Sequence, residues 1–153
     1  MASKGPDMRI NDTVRRFGYP ETLVAEFDHW VLLVRPAQPT LGSLILAAQS
    51  EATAFGDLPD GVHAELQPIT SAIEAVLGQV IGYERINYLM LMMVDRHVHF
   101  HVIPRYEGDR RLGELVIADA GWPGPPNLNA AVALDPAQLA DLTGRLVEKF
   151  AQH

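Results

Sequence analysis

An α+β fold with an antiparallel sheet is predicted from three features of the 153-residue sequence. Short apolar runs of strand length flank one long stretch of helical period, Pro59 to Gly82, and a second helix opens on the start signal Asp135-Pro136. With 48% hydrophobic and 20% charged side chains, the chain has the composition of one globular domain. Residues 1–12, polar and carrying Gly5 and Pro6, read as a flexible N-terminal arm, and 13–153 as a single domain.

Thr22 to Phe27 and His29 to Val34 are β-rich runs, predicted as the first two strands. The segment Arg35-Pro36-Ala37-Gln38-Pro39 ends the second, because proline cannot donate to a central ladder. Leu41 to Ala47 resumes as a strand. In the long helix Val62, Leu66, Ile69, Ile73, Leu77 and Val80 recur at spacings of three and four. Asp60 is the expected cap and Gly82 the stop, while Pro68 predicts either a kink or a start delayed beyond a preliminary turn. Ile86 to Met93 and His97 to Ile103 read as two strands joined by a tight connection around Asp95-Arg96. Glu107 to Leu128, with Gly121-Trp122-Pro123-Gly124-Pro125-Pro126 inside it, reads as loop. The last helix places Leu139, Leu142, Leu146, Val147 and Phe150 on one side. The resulting sheet is expected to be covered mainly on one face, and no repeat or linker divides the chain.

Nineteen acidic against twelve basic residues leave a net charge of −7, the wrong sign for long-range attraction to a nucleic-acid backbone. The balance is uneven, since Arg85 to Arg111 holds five arginines against Asp95, Glu107 and Asp109, so an anionic small molecule is not excluded. The lack of cysteine removes disulfide scaffolds and thiol chemistry. No apolar run approaches the roughly 18–20 residues of a membrane span, and MASKGPDMRI has no apolar signal core. A cytoplasmic protein without membrane or nucleic-acid partners is the expectation.

Three of the six histidines fall within five residues. His97-Val98-His99-Phe100-His101-Val102-Ile103 alternates strictly, and in a strand this sends all three imidazoles to one face. Imidazole, with a free pKa near 6.5, serves as nucleophile, base or acid around neutrality. Three such rings on one face suit phosphoryl or nucleotidyl transfer, with a central nucleophile and flanking groups on the phosphoryl oxygens. They equally suit a metal held by two or three nitrogens, and a structural cluster is the third possibility.

HVHFHVIPRY resembles the histidine triad (HIT) signature, His-φ-His-φ-His-φ-φ with φ apolar, and matches it throughout His97 to Ile103. The resemblance spans roughly residues 22–106, including the strand with Asn87, the helix before it and, more weakly, Pro39 to Leu46. It implies a HIT-like antiparallel sheet with a long helix and a C-terminal helix, in a homodimer. It further implies a nucleotide hydrolase or nucleotidyl transferase acting at the α-phosphate, with dinucleoside polyphosphates among its substrates. By the same resemblance His99 is the nucleophile, His97 and His101 support it and bind the phosphate region, and Asn87 lies near the scissile phosphate. No metal or cofactor is required for that route.

Departures from the family pattern bear on nucleoside selectivity. Met92-Met93-Val94-Asp95 replaces the usual Gly-Gln-x-Ser/Thr-type segment, Ser43 stands where a further histidine is expected, and Arg35 stands where an acid holds the ribose. A nucleotide-binding module with little catalysis is therefore the competing expectation.

Arg105, directly after the triad strand, is a candidate phosphate contact or else a solvated strand end. His29, beside Trp30, is a candidate for the nucleoside pocket or else a turn residue. His63 is expected on the exposed side of the helix, and His153 is terminal. Tyr88 to Met93 reads as strand packing in a core or dimer interface, or as a soft binding surface.

Overall fold

The computed structural model describes residues 10–153. In chain order its elements are α1 (Asp12–Arg16), β1 (Leu23–Glu26), β2 (Trp30–Val34), β3 (Ala37–Gln38), β4 (Leu44–Ala48), α2 (Val62–Val80), β5 (Arg85–Leu89), β6 (His99–Arg105), β7 (Asp109–Leu112), β8 (Leu115–Ala118), β9 (Val132–Ala133) and α3 (Pro136–Ala151). Five of the strands form one antiparallel sheet in the order β1-β2-β4-β6-β5. The pairs β3-β9 and β7-β8 stand apart from it. This is the α+β architecture expected from the sequence.

The interior strands β2 and β4 are buried along their whole length, which explains why they read as unbroken apolar runs rather than as alternation. Their residues divide by parity between two cores. Trp30, Leu32, Val34, Leu44 and Leu46 face α2 and α3 and pack with Ile69, Ile73, Leu77, Leu142 and Leu146. Val31, Leu33, Ile45 and Ala47 face the other way and meet Ile10 and Val14 around α1. The Trp30 indole donates to the Val62 carbonyl at 2.9 Å, so this large buried ring leaves no polar atom unpaired.

Several boundaries differ from expectation, each for a physical reason. Helix α2 starts after Gly61, which supplies a left-handed N-cap at φ 87, and Asp60 does not cap it. Pro68 sits within α2 without ending it, because Pro68 and Ala64 are both exposed and the carbonyl without an N–H partner is open to water. The strand expected over Leu41–Ala47 begins at Leu44, and Ala37–Gln38 pairs as β3 inside the segment taken as a breaker. β5 ends at Leu89, and Met92 takes a φ of 48 that no extended strand allows. The link to β6 is therefore the long segment 90–98, not a tight turn at Asp95-Arg96. Within the expected loop 107–128, β7 and β8 form a hairpin whose two-residue turn has Gly113 at φ 60. Asp135 caps α3 in a full capping box with Gln138, as its start signal predicts, although Val147 on that helix is exposed. Residues 1–9 of the expected arm lie outside the described residues. At 10–12 the chain is not loose: Ile10 is buried and Asn11 caps α1 while donating to the Ser50 carbonyl at 2.7 Å.

Candidate active site

Strand β6 lies between β4 and β5, with Ala47 opposite His99 and Ile45 opposite His101. Both histidines therefore stand on the face that carries α1. His99 is 1% exposed and His101 8% exposed, and their ring centroids are 5.0 Å apart. Phe17, just after α1, covers both, at 5.5 Å from His99 and 6.0 Å from His101.

Hydrogen bonds decide the tautomers. The His99 Nδ1 lies 2.8 Å from the His97 carbonyl, which can only accept, so Nδ1 carries the proton. Burial pushes the His99 pKa down, and the neutral ring keeps its lone pair on Nε2. His101 is arranged the opposite way: Arg35 Nε donates to its Nδ1 at 3.3 Å, which leaves the ring proton on Nε2. Burial, then the neighbouring His99 and Arg35, depress the His101 pKa to about 4. Side by side, the two rings thus present a bare nitrogen and an N–H.

A cavity of about 220 Å³ opens beside them. Phe17 and Leu128 line it together with the segment Leu91-Met92-Met93-Val94, of which Met93 and Val94 are 84% and 80% exposed. Arg35 and Asp95 are its charged lining residues. Asp95 Oδ1 is buried without a hydrogen bond, but Arg16 Nε lies 2.8 Å away, off the bonding direction, and balances its charge.

Of the residues expected at the site, only His99 and His101 line this cavity. His97 precedes β6, and its ring is held between the Thr13 hydroxyl at 2.9 Å and Glu51 at 3.1 Å. Its contribution to the site is the backbone carbonyl that orients His99. Asn87 is paired with Ile103, further along the sheet, and accepts from Arg105 Nη1 at 2.8 Å. Arg105 is 4% exposed, and its guanidinium grips Asp119 through Nε and Nη2 at 2.7 and 3.2 Å and also donates to the Gly124 carbonyl. That fork ties the 119–124 segment to the sheet and is not free for a phosphate. Asn87 and Arg105 line a separate cavity with Arg85 and the Trp122–Pro125 segment. His29 lies at the β1-β2 turn, where its backbone N–H donates to Glu65 of α2 at 2.8 Å, so it belongs to the helix side of the sheet. His63 is exposed and packs edge-on against Phe55 at 4.5 Å, and His153 is exposed at the end of the chain.

Phe17, Thr13 and Glu51 were not singled out in the sequence. The available signal was Asn11 before Thr13-Val14, a capping residue ahead of a helix too short to show a period. Among the described residues no group of three or more histidine, aspartate or glutamate side chains is arranged to hold a metal ion.

The architecture has solved counterparts. A histidine triad protein from Sinorhizobium meliloti 1021 superposes with a TM-score of 0.70 at 23% identity, over 92% of this chain and 95% of that one. The chain has the histidine triad fold. A histidine triad protein from Marinobacter aquaeolei VT8 matches with a TM-score of 0.70 at 21% identity, over 90% of this chain and 94% of that one. A Plasmodium falciparum diadenosine triphosphate hydrolase matches the histidine triad fold of this chain at 0.64 and 11% identity, over 87% and 78%. No protein-family model matches the sequence, and no curated protein does.

Proposed function

We propose that the chain is a nucleotide hydrolase or nucleotidyl transferase of the histidine triad type, acting at an α-phosphate, with dinucleoside polyphosphates among its substrates. One observation carries the proposal: the 2.8 Å bond from His99 Nδ1 to the His97 carbonyl, which leaves Nε2 as a bare nucleophile in a protonation state suited to neutral pH. In the first step the Nε2 lone pair forms a P–N bond as the bond from phosphorus to the leaving oxygen breaks, and the electron pair departs with that oxygen. The His97 carbonyl stabilises the positive charge that develops on the His99 ring, and the His101 Nε2–H donates to a phosphoryl oxygen. Water then attacks phosphorus, the P–N bond breaks, Nε2 recovers its lone pair, and nucleoside monophosphate and a proton are released. We infer a homodimer in the cytoplasm. The outer edge of β5, which has no strand partner among the described residues, and the exposed Leu91, Met93 and Val94 beyond it support the former, and a solution mass measurement tests it. Among the described residues no helix is long and apolar enough to cross a membrane.

The test is His99→Ala on a panel of nucleotide substrates with products identified by mass spectrometry, run with and without added phosphate to separate hydrolysis from phosphorolysis. Turnover is expected to fall to background, and an acid-stopped reaction is expected to hold labelled nucleotide on the parent protein only. Near-normal turnover by the variant would remove the covalent route. A second reading, a binding module with little catalysis, is favoured by the apolar rim and the Asp95 carboxylate in the cavity. Saturable nucleotide binding without turnover in the parent protein would decide for it.

A further inference from the structure

Arg35 is a cation built into the cavity without a counter-charge among the described residues. It follows β2 directly, and its backbone N–H donates to the Ser43 carbonyl at 3.1 Å. Leu33, Ile45 and His101 form one row across β2, β4 and β6, and Val31, Ala47 and His99 form the row beside it. Arg35 thus belongs to the next row on the other side of His101 from His99, and its side chain reaches back to His101 Nδ1.

The guanidinium has three nitrogens. Nε donates to His101 and Nη1 to the Ala37 carbonyl, while Nη2 has no hydrogen-bond partner among the described residues. No carboxylate among the described residues lies within ion-pair distance of it. The other charged lining residue, Asp95, is matched by Arg16 and makes its charge felt at His99, whereas the Arg35 charge is felt at His101. The cavity is therefore polarised, with its unmatched positive end at Arg35. Partial burial of this group is unfavourable to its charged form, and burial lowers its pKa accordingly.

The loop that carries Arg35 is held rigidly. Gln38, fully buried, donates through Nε2 to the carbonyls of Arg35 and Ser43 at 2.7 and 2.8 Å, and accepts through Oε1 from the N–H groups of Gly42 and Ser43 at 2.9 and 3.2 Å. A planar fork, half desolvated, partly free and fixed in place, is the arrangement that recognises an oxyanion.

We propose that Arg35 is the receptor for a second anionic group of the ligand, a phosphate or carboxylate distinct from the scissile phosphoryl group and held on the far side of His101 from His99. That this ligand is a substrate rests on the proposed nucleotidyl transfer; the anion site itself needs no turnover. The second charge has two possible sources, a phosphate on the sugar or a terminal phosphate on the leaving group.

Inorganic phosphate and pyrophosphate are titrated into the parent protein, Arg35→Gln and Arg35→Lys, followed by calorimetry and by the ring resonances of His101. The parent is expected to bind saturably with a shift at His101, Arg35→Gln to bind at least about tenfold more weakly, and Arg35→Lys, which keeps the charge but not the planar fork, to fall between the two. Turnover is then compared on adenosine 5′-(4-nitrophenyl phosphate), its 3′-phosphorylated form and adenosine 5′-diphosphate. A preference for the 3′-phosphorylated probe that vanishes in Arg35→Gln places the anion on the nucleoside, and the same result with the diphosphate places it on the leaving group. The proposal is overturned if Arg35→Gln, with an unchanged melting temperature, keeps both the anion affinity and the ranking of the probes, or lowers all three probes equally while anion binding is intact. Arg35-dependent anion binding with no turnover of any probe would instead sink the nucleotidyl reading and leave the anion site standing.

Discussion

His101 should make the fold sensitive to pH in a defined window. Its pKa drops from an ordinary 6.5 to about 4 in the folded protein, through burial first and then through its His99 and Arg35 neighbours. The unfolded chain therefore takes up a proton near pH 6.5 that the folded chain refuses until near pH 4. Between those values the unfolded state binds more protons, so stability falls as the pH falls, and below about 4 the loss levels off. The whole displacement corresponds to about 3 kcal/mol, of which about 2 kcal/mol is already lost at pH 5. Because the ring is 8% exposed, solvent screening removes little of this. The comparison that isolates this contribution is with His101→Gln, which has no proton to take up. Urea unfolding of both proteins at pH 7.5, 6, 5 and 4.5 should give a stability difference that shrinks or inverts on acidification, as only the parent loses the His101 contribution. Parallel curves across that range would refute the assignment of a buried, neutral His101 next to Arg35.

Two further changes test what holds the sheet and its loops. Asp119→Ala strips the buried Arg105 of both carboxylate contacts and should cost about 3–5 kcal/mol in urea unfolding, with the Arg105→Met/Asp119→Leu double variant recovering part of it. Leu77→Ala removes a fully buried side chain between α2 and the sheet and should cost about 2–5 kcal/mol, read as a lower denaturation midpoint at unchanged slope.

What the sequence made legible tracks how local each signal is. The α3 start could be read because Asp135, Pro136 and Gln138 act within one turn, and α2 because its apolar period runs through five turns. The face shared by His99 and His101 was equally readable, since alternation alone decides it. His97 escaped the same rule because β6 begins two residues after it, where pairing with β4 starts at Ala47–His99. The β7-β8 hairpin was missed although Gly113 marked its turn, for its strands are only four residues long and lie among charges. Arg105 and Asn87 illustrate the limit of position along a strand. Both face the same side as the two histidines, yet Asp119, distant in sequence and brought near by the hairpin, claims the guanidinium first. Arg35 was visible as a residue out of keeping with the motif, but its reach to His101 depends on a Gln38 clamp that no spacing rule reveals.

The placement of the two rings at mid-sheet separates two kinds of cooperativity. His101 is laddered to β4 on one side and β5 on the other, so exposing its backbone requires parting three strands and approaches the cost of unfolding the domain. The cavity wall beside the two rings includes Leu91 to Asp95, a segment for which no backbone hydrogen bond to a neighbouring element is seen among the described residues. Local opening there breaks no ladder. The nitrogen that would do the chemistry is thus carried on backbone that only a large-scale opening of the sheet exposes, whereas the wall beside it is tied down by a side-chain ion pair, Asp95 to Arg16, and not by a ladder.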